Sequence, residues 1–80
     1  LPKETEAEML ALFKGIDGVQ DPHNLRTRRV GNRIVAEVHI RLDGRQSLAD
    51  AHEKATEVER RFKDRFGQQS HIVVHMEPLK

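Results

Sequence analysis

The strongest constraint on this chain is an alternation over residues 33–43. Ile34, Ala36, Val38, Ile40 and Leu42 fall on one side, and Arg33, Glu37, His39, Arg41 and Asp43 on the other. A period of two belongs to a strand with one packed face and one polar face. One strand cannot cover its own apolar side, so the rest of the chain must supply neighbours and a second layer.

The flanking segments supply both. Gly31-Asn32 predicts a tight hairpin turn that joins a strand over residues 25–30 to the alternating one. After the Asp43-Gly44 break, Ser47 is placed to cap a long helix, with Asp50 three residues on. Leu48, Ala51, Ala55, Val58, Phe62 and Phe66 form its apolar stripe, and Gly67 suits the position just past its end. Residues 71–77 read as a last strand, with Ile72, Val74 and Met76 opposed to His71, Val73, His75 and Glu77; Pro78 stops it. Upstream, Thr5 and Glu8 have capping-box spacing, and Met9, Leu12, Phe13 and Ile16 make a helical stripe, so a short helix is expected over residues 5–13.

The order is αββαβ. A strand–helix–strand unit normally closes with its two strands parallel. The expected fold is therefore α+β: a ferredoxin-like, metallochaperone-like two-layer sandwich without its first strand. It has a three-stranded mixed sheet and two helices on the face of Ile34, Val38, Ile72 and Val74. Eighty residues suffice for one such domain, expected to span 1–80.

Composition narrows the function. With 36% hydrophobic and 34% charged residues, three Phe and no Trp or Tyr, the core is thin, and a ligand or partner would add stability. A formal charge of +1 lacks the basic excess of a nucleic-acid binder. Without cysteine there is no disulfide, thiolate ligand or cysteine nucleophile. No apolar run approaches the ~18 residues of a membrane span. The opening Leu1-Pro2-Lys3-Glu4 resembles neither a signal peptide nor an initiation site, so the chain is expected to be a piece of a longer, membrane-borne protein.

The polar sheet face carries the chemistry. His39 on the middle strand faces the same way as His75 and Glu77 on the last strand, and neighbouring strands lie about 5 Å apart. His23 precedes the first strand, behind Pro22. Two or three imidazoles and a carboxylate suit a divalent transition metal, with nitrogen at ~2.0–2.1 Å. Taken singly, each histidine is more often a solvated residue than a ligand. Their coincidence on one face favours ligation.

Four segments then carry a resemblance. Gly18-Val19-Gln20-Asp21-Pro22-His23-Asn24-Leu25-Arg26-Thr27-Arg28, Val38-His39-Ile40-Arg41-Leu42-Asp43, Ser47-Leu48-Ala49-Asp50-Ala51-His52 and Val73-Val74-His75-Met76-Glu77-Pro78 occur in this order. The chain resembles, from about Glu8 to Pro78, the cytoplasmic C-terminal domain of cation diffusion facilitators, which are dimeric efflux transporters of divalent metals. The resemblance implies metal ligation by His23, His39, His52, His75 and Glu77, where the family often has Asp at the last position. It implies zinc or a similar ion (cobalt, cadmium, nickel, manganese or iron), a homodimer, and attachment to the transmembrane domain of the same chain at the cytoplasmic face of the membrane. His71 has no counterpart and reads as incidental.

His52 lies on the helix layer, whereas His39 and His75 face away from it. It is therefore expected to ligate in trans across a dimer, or only at a weaker second site. Arg26, Arg28, Arg29, Arg33 and Arg41 form a basic cluster, expected to be a solvated hairpin paired with Glu37, Asp43 and acidic helix faces; the resemblance gives Arg28 charged contacts to the membrane part. Glu57 with Arg61 and Glu59 with Lys63 have helix-stabilising spacing. No nucleophile turn or phosphate loop is present, so a binding and regulatory domain is expected rather than an enzyme. The competing expectation is a stand-alone ferredoxin-like module whose histidines are incidental; a metallochaperone is disfavoured by the missing Cys-x-x-Cys.

Overall fold

The computed structural model describes residues 2–79; Leu1 and Lys80, the two ends of the expected domain, lie outside the described residues. The order is α1 (Lys3–Lys14), β1 (Gln20–Val30), β2 (Arg33–Leu42), α2 (Leu48–Phe66) and β3 (His71–Pro78). The sheet runs β1-β2-β3, with β1 antiparallel and β3 parallel to the central β2. Parallel neighbours need a long crossover, and α2 provides it. The expected α+β, ferredoxin-like αββαβ sandwich is the fold observed.

The alternation of β2 builds the core. Ala36, Val38, Ile40 and Leu42 are buried against Met9 and Phe13 of α1, Val58 and Phe62 of α2, and Ile72 of β3. Both helices therefore cover one sheet face. Phe13 and Phe62 meet between the helices at 6.3 Å, with Phe66 a further 5.3 Å from Phe62, in the tilted arrangement aromatic pairs favour. Glu8 of α1 pairs with Arg65 of α2 at the rim. Among the described residues, no buried side-chain nitrogen or oxygen lacks a hydrogen-bond partner.

Caps and turns fix the element ends. The Ser47 hydroxyl accepts the Asp50 N–H at 3.0 Å, as expected, and Gly67 closes α2 with φ 116°. Gly31, at φ 60°, occupies the first central position of the two-residue hairpin, where glycine alone is free of strain. Gly18 has φ 86°, a left-handed conformation that glycine takes without strain at the turn leading into β1.

Four expectations change. Helix α1 starts at Lys3, not Thr5, because the Pro2 carbonyl already accepts the Thr5 and Glu6 N–H groups, and no side chain caps it. Leu48 is 83% exposed, beyond the end of the covered stripe. Strand β1 begins five residues earlier than expected, at Gln20 rather than Leu25. On α2, Glu57 pairs with both Arg60 and Arg61, whereas Glu59 and Lys63 form no ion pair among the described residues.

Candidate metal centre

Register places the site. On the sheet face away from the helices, His39 stands opposite His75 on β3 and opposite His23 on β1, and Arg41 stands opposite Glu77. The row is three imidazoles wide. The His39 and His75 rings stack at 4.5 Å, and those of His23 and His39 lie 5.4 Å apart.

His23 reaches this row only through a bulge. Arg26 pairs with Glu37 on the open face, so a regular strand would turn residue 23, three positions away, towards the helices. Three steps on β1 instead answer two on β2, because Asn24 takes a left-handed conformation (φ 50°) and inserts one extra residue. A second irregularity at Asp21 (φ 48°) follows the same pattern. His23 is thus a strand residue opposite His39, not a loop residue before the strand.

The hydrogen bonds fix the ring nitrogens. His23 Nδ1–H donates to the Asp21 carbonyl at 2.6 Å, which leaves Nε2, 3.4 Å from Glu77 Oε1, as the ring nitrogen turned toward the carboxylate. His39 Nδ1–H donates to Glu77 Oε2 at 2.7 Å. That hydrogen bond, helped by nearby His23 and Arg41, holds the Glu77 carboxyl below its ordinary value of 4.5 against partial desolvation. His75 turns away from this group, and its Nε2–H donates to Glu37 Oε2 at 2.5 Å, which lowers the Glu37 carboxyl in turn. The face therefore holds two crossed imidazole–carboxylate pairs.

Candidate ligand atoms of His23, His39 and Glu77 all lie within 4.8 Å of one another, the one such group among the described residues. Ligands about 2.1 Å from a tetrahedral ion sit about 3.4 Å apart. The His23–Glu77 separation of 3.4 Å already matches that edge; at His39 the 2.7 Å contact would open by a fraction of an ångström, with Nδ1 giving up its proton as the ring changes to the Nε2–H tautomer. The donor set is borderline, two nitrogens and one oxygen, as zinc-like ions prefer. A histidine that donates its second nitrogen to a backbone carbonyl, as His23 does, is also the usual orientation of a metal-bound imidazole. The residues fit a divalent transition metal.

Of the expected ligands, His23, His39 and Glu77 converge, and His75 lies beside them with its nitrogen engaged elsewhere. His52 is exposed on α2, in the layer beyond the sheet, and does not join them. His71 is exposed, four residues before His75. Sequence reasoning missed Arg41, Asp21 and Glu37 as parts of the site. Arg41 Nε donates to Asp21 Oδ2 at 2.8 Å, and its Nη2 lies 3.6 Å from Glu77 Oε1. The signal was present, since Glu37 and Arg41 share the parity of His39.

A two-layer ferredoxin-like domain with an imidazole–carboxylate cluster on its open face is the class that fold and side chains define. The chain belongs to the family described as the cytoplasmic domain of cation efflux proteins, whose sequence pattern matches residues 1–79. It is 31% identical over 78 residues to the cation-efflux pump FieF of Shigella flexneri, which covers 98% of this chain and 26% of the pump. The FieF of Pectobacterium atrosepticum is 29% identical over 79 residues, again 99% of this chain and 26% of the pump. The chain thus spans about a quarter of these relatives.

Solved structures agree. The cytosolic domain of a cation diffusion facilitator family protein superposes with a TM-score of 0.83 at 30% identity, covering 95% of this chain and 90% of that one. The metal-bound C-terminal domain of the CzcD transporter from Thermotoga maritima gives 0.79 at 30% identity, covering 96% and 94%. The CzrB structure gives 0.91 at 28% identity over 100% and 99%. Among the described residues, no helix is long and apolar enough to cross a membrane.

Proposed function

We propose that this chain is the cytoplasmic regulatory and dimerisation domain of a divalent-metal efflux transporter, and that His23, His39 and Glu77 hold a zinc-like ion. In this reading, residues 1–80 are one domain attached to a transmembrane part of the same protein, and the domain transports nothing alone. The observation that carries it is the convergence of the two imidazoles and the carboxylate from three strands.

A bound divalent ion would supply a crosslink among three strands. The protein's own groups do the rest. Asp21 orients the His23 ring through its carbonyl, and the bulge at Asn24 aims it. His39 and Glu77 hold one another in place before loading. His75, stacked on His39, is the nearest further imidazole, and His52 joins from a second copy in a homodimer. If only the closed dimer assembles the full set, loading favours it by the difference in affinity between the two arrangements. Imidazoles must be neutral to ligate, so affinity falls as pH drops through the histidine range.

One observation favours the competing reading of a metal-free protein-binding module: His39–Glu77 and His75–Glu37 satisfy each other without an ion. Thermal melts of the wild type and of His39→Ala/His75→Ala separate the two. At a hundredfold excess over Kd, zinc stabilises the folded form by about 2.7 kcal/mol, or roughly 10–20 °C for a chain of this size, and the double variant loses the shift. A wild type whose melt is unmoved by micromolar zinc would refute the metal reading. For His52, Ala substitution is expected to lower zinc stoichiometry or dimer affinity; both unchanged would remove it from the set.

A further inference from the structure

We infer that Arg41 is a built-in counter-ion of the candidate metal centre, which an incoming cation must displace; this rests on the metal reading above. The guanidinium spans the sheet. Its Nε donates to Asp21 Oδ2 on β1 at 2.8 Å, while Nη2 lies 3.6 Å from Glu77 Oε1 on β3. Glu77 Oε1 is also the oxygen nearest His23 Nε2, at 3.4 Å. The arginine and a cation held by His23 and Glu77 therefore address the same carboxylate oxygen.

Charge explains why both cannot stay. With neutral imidazoles, the two carboxylates that Arg41 contacts, Asp21 and Glu77, contribute two negative charges and Arg41 returns one positive; Glu37, further along the face, is offset by Arg26 beside it. A divalent ion added to that set leaves an excess positive charge, with the guanidinium within contact distance of a ligand atom. Moving Arg41 aside leaves two carboxylates against one divalent ion, which is neutral. The Arg41 side chain is 34% exposed, so it has water to move into. At rest, the arginine ties the outer strands across β2 and keeps the two carboxylates from repelling each other. It also raises the metal concentration at which the centre fills. The centre then ignores trace metal and loads above a threshold set partly by Arg41.

The test compares wild type, Arg41→Gln and Arg45→Gln. Arg45 is a charge control: its side chain is 93% exposed and pairs with Asp43 rather than Glu77. Zinc affinity is measured by competition with a chromophoric chelator, and metal-free stability by thermal melting in EDTA. Arg41→Gln is expected to bind zinc roughly tenfold tighter, the scale of removing a unit charge from a partly solvated contact. It should also melt lower without metal, and Arg45→Gln should do neither. Equal or weaker zinc affinity in Arg41→Gln, with wild-type binding intact, overturns the role of Arg41 alone. An equal gain in Arg45→Gln overturns it too, by showing a general field effect. Wild type that binds no zinc overturns the metal reading, and this inference with it.

Discussion

Asn24 offers the sharpest test of how the site is aimed. The residue sits at φ 50°, exposed, in the bulge that turns His23 onto the open sheet face. An L-residue with an ordinary side chain incurs about 1–2 kcal/mol in the left-handed region. Asparagine tolerates it better than most, and glycine best. Valine is among the worst, because its branched Cβ crowds the carbonyl. Exposure leaves no packing gain to offset this. Asn24→Val should therefore lose about 1–2 kcal/mol of metal-free stability, about 4–8 °C per kcal/mol at this chain length. Asn24→Gly, free of the Cβ penalty at this φ, should stay closer to wild type than the valine variant. Urea denaturation in EDTA reads the stability, and zinc titration reads the aim of His23. If valine relieves its strain by flattening the bulge, His23 turns toward the helices and zinc affinity falls. A valine variant with wild-type urea midpoint and zinc affinity would refute the reasoning, since the left-handed residue would then aim nothing.

Three further outcomes are expected. Phe62→Ala empties a fully buried position between Phe13 and Phe66, and should cost about 3–5 kcal/mol by chemical denaturation; a loss under 1 kcal/mol would mean the aromatic seam is not the core. Ser47→Ala removes the hydroxyl that accepts the Asp50 N–H and should cost about 1 kcal/mol, without altering zinc affinity. The Glu37, Glu57 and Glu77 carboxyls all lie below their ordinary 4.5, and Asp43 below 3.8, so the unfolded chain binds protons first as pH falls. Their contribution is complete above those ordinary values and is lost as pH drops through the lowered ones; a metal-free melting temperature unchanged between pH 6 and about 3 would contradict this.

Legibility followed the regularity of the backbone. The β2 alternation and the α2 stripe need only a fixed period, so the buried face of Ala36, Val38, Ile40 and Leu42 could be read from the letters. Ser47 and Gly67 marked the ends of α2 for the same local reason. Strand β1 failed where its period broke: Asp21 and Asn24 each shift the register, and the shift exists only relative to β2. The start of α1 was set by a backbone carbonyl of Pro2, which no side-chain pattern announces. Within the site, parity put His39, His75 and Glu77 on one face, yet could not say which nitrogen each ring would offer. For His75 that was decided by Glu37, one strand over and diagonal to it. Arg41 was read as part of a solvated basic hairpin, because its partners come from β1 and β3 rather than its own strand.

The mixed sheet has a kinetic consequence. His23 and His39 belong to one antiparallel hairpin, sixteen residues apart in sequence, and such local pairing forms early. Glu77 arrives across a separation of 38 residues, after α2 has carried the chain back over the sheet. Sequence separation thus predicts that the charged member of the trio comes with the last strand to dock. A growing or partly melted chain presents two imidazoles without their carboxylate, and would hold a cation only weakly. On the metal reading, the grip becomes firm only when β3 is seated, so a bound ion would report that the chain has finished folding.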